Sequence, residues 1–137
     1  MIEDGLPPQD LEAEKAVLGA ILIDNNAFNT VVELLEENDF YREAHKVIYN
    51  AMLQLHANHE AIDLITLVNI LKTRSKLDDI GGIAYITSLN NLATAANVRY
   101  HANIVREKAI RRKLIETSMR IAGNAYDENN DIAQQLD

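Results

Sequence analysis

VRYHANIVREKAIRRKLIETSMRIAGNAY, residues 98–126, contains no proline and no glycine before Gly123. Nothing in it interrupts the i to i−4 hydrogen-bond ladder, so it predicts one helix of about 29 residues, roughly 43 Å long at 1.5 Å per residue. Its first half carries a single apolar stripe, Val98, Ala102, Val105 and Ala109, suited to packing on a core. After a basic cluster come two stripes side by side, Ile110, Leu114, Ile121 and Ala125 next to Ile115, Met119, Ala122 and Tyr126. A compact body built from the preceding stretch of about 90 residues would be only about 30 Å across. The helix therefore overhangs that body, and so wide an apolar face must be buried against something. Beyond it, Asn129 or Asn130 reads as the cap of a returning helix, of which only Asp131 to Asp137 follow. Under two turns cannot cover the face or stand alone. The chain is expected to stop within a structural element, as a piece cut from a longer one.

The residues before 98 read as a head of about five short helices. Pro7 and Pro8 stop any earlier helix, and Asp10 is placed to cap the first, with Glu12 and Glu14 at its positive dipole end and Ala13, Val17, Ala20 and Ile21 as its stripe. Asp24, Asn25 and Asn26 break it. Phe28, Val31, Val32 and Leu35 mark a second helix ending near Glu37. Ala44, Val47, Ile48, Ala51, Met52 and Leu55 fit the i, i+3, i+4, i+7 template and predict a core helix. Asp63 can cap a fourth, carrying Leu64, Leu67, Val68 and Leu71, and Gly81 and Gly82 open a fifth with Tyr85, Ile86, Leu89 and Leu92. No stretch alternates with period two between hairpin turns, so the class is all-α. The expected organisation is a disordered tail over 1–8, a globular head over 9–97, and a long helix with a truncated second hairpin arm over 98–137.

Composition narrows the chemistry. With no cysteine among 137 residues there is no disulfide framework, thiolate metal site or Cys nucleophile. The apolar run from Ala16 to Ile23 is far short of the roughly 18 residues a membrane span needs, and the acidic start does not resemble a signal peptide. A cytoplasmic protein without membrane contact is expected. The net charge of −8 is unevenly placed: residues 1–40 carry −9, residues 41–98 balance, residues 99–120 carry +5 and the last seventeen carry −4. An acidic body joined to one basic segment suggests contact through that segment. Arg111, Arg112 and Lys113 are its densest part and the candidates for single-stranded nucleic acid. Against that reading stand the acidic pI of about 4.9 and the absence of interleaved aromatics.

No active site is legible. His45, His56 and His59 with Glu43, Glu60 and Asp63 form the one group of metal-ligand types, but His45 lies three turns from His56 and cannot reach the same ion. A metal-dependent hydrolase around His56 and His59 is a remote alternative. Glu36 with Glu37 and Asp78 with Asp79 are sequence neighbours whose side chains diverge. Ser75, Ser88 and Ser118 lack a nucleophile elbow, and Gly81–Gly82 lacks the Lys and Ser or Thr of a phosphate loop.

Taken together, the segments resemble a known family. Pro7-Pro8, Glu12-Ala13-Glu14 and Val17-Leu18-Gly19 are followed by Asp39-Phe40-Tyr41-Arg42 with His45, Ile48 and Tyr49. Then come Ile62-Asp63-Leu64, Gly81-Gly82-Ile83-Ala84-Tyr85, Ala95-Ala96-Asn97-Val98, and Tyr100-His101-Ala102 leading to Ile104-Val105-Arg106-Glu107-Lys108. In this order and spacing, from about Leu6 to Tyr126, they resemble the N-terminal domain of bacterial replicative DNA helicases of the DnaB type. The chain departs from the family at Leu92-Ala93-Thr94, where a proline-containing turn is usual.

The resemblance implies a non-catalytic head with a protruding helical hairpin. Paired hairpins build a collar, a trimer of dimers, above a ring of RecA-like motor domains that hold ATP and magnesium; this chain carries no such domain and so no cofactor of its own. It implies self-association through Ile110, Leu114, Ile115, Met119, Ile121, Ala122 and Tyr126. It also implies docking of the primase C-terminal domain, with Tyr85, Ile115 and Ile121 as contact candidates, and in some members of a helicase loader. Catalytic and metal residues are not expected.

Overall fold

The computed structural model describes residues 5–92, 95–129 and 131–133. Among these, the chain folds into α1 (Leu11–Ile23), α2 (Asn26–Leu34), α3 (Glu43–Ala57), α4 (Leu64–Thr73), α5 (Gly82–Leu92) and α6 (Val98–Tyr126), with 3-10 turns at Glu37–Asp39 and Asp78–Ile80 and no strand. The all-α class and the predicted extent of the long helix both hold.

Side-chain caps set the starts of α1 and α4. Asp10 accepts from the Ala13 N–H at 3.0 Å, and the Asp63 carboxylate accepts from the Thr66 N–H at 2.8 Å while the Thr66 hydroxyl oxygen accepts from the Asp63 N–H at 2.9 Å. Each bond satisfies a donor that the helix itself leaves open. His59 and Ser75, at φ of 59° and 58°, end α3 and α4 in the left-handed region. Asn25 is more than a helix breaker: its side-chain amide donates to the Ile62 carbonyl at 2.6 Å and accepts from the Ile62 N–H at 2.7 Å, fastening the α1–α2 corner to the loop before α4.

α1 is the central element. Eight of its thirteen residues are buried, Glu14 among them, so it is wrapped on several sides instead of presenting one face. α2 ends at Leu34, earlier than its apolar pattern implies, because Leu35 turns extended and drops into the core while Glu36 and Asp39 cap the next turn reciprocally. Phe28, Phe40 and Tyr49 meet there, with the Phe40 and Tyr49 ring centroids 5.0 Å apart. The Tyr49 hydroxyl donates to the Leu35 carbonyl at 2.9 Å, and burial, with Asp39 adding to it, pushes its pKa up to about 12.

α6 packs its first turns on α1, α2 and the Glu37–Asp39 turn through Val98, Ala102 and Val105, all buried, with Ala109 half-buried behind them. After Tyr126 the capping side chain is Asp131, not Asn129. The Asp131 carboxylate accepts from the Ala133 N–H at 2.9 Å, whereas the Asn129 N–H is bound to Asp127. Asn130, the turn at 93–94, and residues 1–4 and 134–137 of the predicted tail and second arm lie outside the described residues.

Candidate interaction surface

The arm begins where Arg112 stops touching the head. Its guanidinium donates to the Pro8 carbonyl at 2.8 Å and to the Asp39 carbonyl at 2.7 Å, and lies 5.4 Å from the centroid of the Tyr41 ring. Pro8, placed in the tail by sequence, is thereby tied to α6. From Lys113 to Tyr126 fourteen residues continue, about 21 Å at 1.5 Å per residue. Along the arm Ile110, Leu114, Ile115, Met119, Ile121 and Tyr126 are 46–89% exposed, and Ala122 and Ala125 are exposed too.

At 100° per residue these side chains do not form one continuous face. Ile110, Leu114, Ile121 and Ala125 gather in a first lane. Ile115, Met119, Ala122 and Tyr126 gather in a second, about 120° around the helix, with Arg111 and Ser118 between them. A helix with two separated apolar lanes can lie between two neighbours. Of the nucleic-acid candidates, Arg112 is used up in the head, Arg111 is paired with Glu107 at 3.1 Å, and Lys113 alone stands open. The cluster does not act as one basic patch, because its three side chains leave the helix in different directions.

Tyr85 sits at the opposite end of a buried polar chain. Glu14, 1% exposed, accepts from the Tyr41 N–H at 2.7 Å, from the Arg42 N–H at 3.4 Å, and from His45 Nδ1–H at 2.7 Å. His45 Nε2 in turn lies 2.5 Å from the Tyr85 hydroxyl, so the imidazole bridges the carboxylate and the phenol. Arg42 donates to the same hydroxyl oxygen at 3.3 Å, with its guanidinium 4.9 Å from the ring centroid. Burial raises the Tyr85 pKa against the opposing pull of Arg42 and Lys15, so the hydroxyl keeps its proton. Gly81 makes room for this arrangement: at φ 105° a Cβ there would stand 2.9 Å from Tyr85 Cβ. Tyr85 is thus half-buried, with its ring packed against His45 and Arg42 and its hydroxyl turned inward, while Ile115 and Ile121, the other two primase candidates, lie on different lanes.

Sequence reasoning placed Glu14 at the positive dipole end of the first helix and His45 among the metal-ligand types, without reading either as buried. Its missed signal is periodicity: Glu14 continues the stripe of Leu18 and Ile21, and His45 that of Ile48, Tyr49 and Met52. The other members of the metal group are dispersed as well. His56 lies against the Phe28 ring at 4.5 Å, His59 points from the left-handed corner, and among the described residues no group of three or more His, Asp or Glu is placed to hold a metal ion. Among them, too, no helix is long and apolar enough to cross a membrane.

Fold and surface together define an all-helical head that presents a helical arm with exposed apolar side chains. The model of the DnaB-like helicase N terminal domain matches residues 6–107, and the chain belongs to that family. It is 44% identical over 137 residues to the replicative DNA helicase DnaC of Bacillus subtilis, an alignment covering 99% of this chain and 30% of that protein. The chain spans about 30% of the length of the curated relatives it matches. The crystal structure of the N-terminal domain of DnaB helicase from Mycobacterium tuberculosis superposes with a TM-score of 0.90 at 41% identity, covering 96% of this chain and 93% of that one. A DnaB-like replicative helicase whose structure was described with its interactions with primase gives a TM-score of 0.77 at 25% identity, covering 93% of this chain and 31% of that one.

Proposed function

We propose that the chain is the non-catalytic collar module of a bacterial replicative DNA helicase, pairing subunits into dimers and a trimer of dimers and offering a docking surface to primase. The observation that carries this is the arm: about 21 Å of helix beyond the Arg112 clamp, with its apolar side chains open. The second lane suits a second copy of the chain, because its borders carry Ser118 and Gly123, and Arg111, the charge beside it, is paired with Glu107. Primase docking is supported by the structural relative described with primase and by the half-buried ring of Tyr85 beside Arg42. The contact at Tyr85 would be made by the ring, since its hydroxyl is committed to His45. A loader would meet the same collar. ATP and magnesium belong to the motor domain of such a helicase, and the module works in the bacterial cytoplasm at the replication fork.

Sedimentation equilibrium tests the pairing. The chain should dimerise at high micromolar concentration, and Ile115→Asp with Met119→Asp should give a monomer with an unchanged melting temperature, since both residues are exposed in the single chain. A wild-type chain that stays monomeric, or a double variant that still dimerises, overturns self-association through this lane.

A further inference from the structure

Arg42 stands immediately before α3, and its exposed side chain reaches Tyr85 on α5. The guanidinium lies 4.9 Å from the centroid of the ring and donates one N–H to the hydroxyl at 3.3 Å. The ring beneath it is itself held: the His45 imidazole stacks beside it with the two planes 19° apart, His45 Nε2 lies at the hydroxyl, and Glu14 fixes the imidazole through Nδ1. The guanidinium is thereby preorganised, with one donor spent and the rest of its planar fork open. Besides Arg42, the charges that act on the Tyr85 hydroxyl are those of Lys15, Glu12 and Glu14. Lys15 is paired with Glu12 at 3.2 Å, and Glu14 is spent inside on two backbone N–H groups and His45. Glu43, next in sequence to Arg42, faces Lys46 at 3.6 Å. Among the described residues no carboxylate lies within ion-pair distance of Arg42, which leaves it the uncompensated charge of this face.

We infer that Arg42, held against Tyr85, receives a single carboxylate of the protein that docks on this face, through a forked pair of N–H···O bonds; this rests on the reading of the Tyr85 face as the primase docking surface. The guanidinium adds a charged anchor to the contact made by the ring. Stacking has already removed much of the rotamer freedom that an arginine loses on binding, so the pair forms at a smaller entropic cost than an ordinary surface ion pair. A nucleic-acid backbone suits the seat poorly. Its phosphates call for a row of cations, whereas Arg42 stands alone, Lys15 is neutralised by Glu12, and residues 1–40 carry −9. The same acidity defines the rest of the partner's surface. Glu12 and Glu43 stand exposed beside the seat, so the patch around the incoming carboxylate carries no further negative charge.

The test is the binding of the 137-residue chain to a labelled primase C-terminal domain from the same bacterium, followed by fluorescence anisotropy. Arg42→Gln should weaken binding at least about tenfold, and Arg42→Lys should recover little of the loss, because an ammonium supplies the charge without the planar fork. Both variants should melt as the wild type does, since the side chain is exposed and the backbone N–H that Glu14 accepts from is kept. Arg42→Glu should bind least. Replacing the Asp and Glu residues of the primase domain by Arg, one at a time, should then find one exchange that restores its binding, which identifies the occupant. Wild-type affinity in Arg42→Gln overturns the carboxylate seat and leaves the docking surface standing, and so does full recovery in Arg42→Lys or the failure of every exchange to restore Arg42→Glu. A wild-type chain that does not bind the primase domain removes the docking surface and the seat together. Displacement of the domain by oligothymidylate from the wild type but not from Arg42→Gln overturns the seat in favour of nucleic acid, and loss of the sedimentation dimer in Arg42→Gln overturns it in favour of a second copy of the chain.

Discussion

Glu14 is a carboxylate in a nearly water-free site, and its survival there depends on the three donors of Tyr41, Arg42 and His45. Removing the acceptor strands all three at once, whereas removing the Tyr85 hydroxyl strands only His45 Nε2. Glu14→Ala should therefore lower the unfolding free energy in urea by about 3 kcal/mol, and Tyr85→Phe by about 1 kcal/mol. Equal losses in the two variants would mean that the carboxylate is not the hub. The residue scale is where the sequence was least legible. A Glu at the start of a helix and a His among polar neighbours look solvated until the chain is folded, because burial is decided by what packs on top.

The boundary between the Asp78–Ile80 turn and α5 shows how an element is positioned by two glycines. Gly81 and Gly82 take φ of 105° and 76°, values that an L side chain rarely adopts, and at Gly81 the Tyr85 side chain fills the space a methyl would need. Gly81→Ala should cost about 2 kcal/mol and move Tyr85 off His45, visible as a shift of the His45 Nε2 resonance by nitrogen NMR. A wild-type melt and spectrum would show that the turn relaxes freely. Helices themselves were legible at this scale. The extent of α6 follows from a run without helix breakers, and Asp10 and Asp63 cap where the sequence put them. The end of α2 was not, because Leu35 fits the helical pattern equally well as a core residue just outside the helix.

For the molecule as a whole, one side chain ties the base of the arm to the head. Arg112 joins the segment before α1, the turn before α3 and the middle of α6 through two carbonyls and a ring. Arg112→Ala should leave the head folded at a cost of about 2 kcal/mol, and it should broaden the distance distribution between spin labels on the head and near Tyr126. An unbroadened distribution would assign the angle to the packing of Val98, Ala102 and Val105 alone. Pairing of copies also belongs to this scale, since it depends on how far the arm stands clear of the head.

By itself the sequence determined the all-α class, the length of the arm, the apolar stripes and the family, because periodicity, caps and colinear blocks are local properties of the chain. Tertiary structure alone decided that Arg112 is bound to the head through Pro8, Asp39 and Tyr41, that Glu14 and His45 are interior, and that Tyr85 turns its hydroxyl inward. The reason is the same in each case. A polar side chain's role is fixed by the partners within hydrogen-bond reach, and here those partners lie 31 residues away for Glu14 and His45, 40 for His45 and Tyr85, and 104 for Arg112 and Pro8.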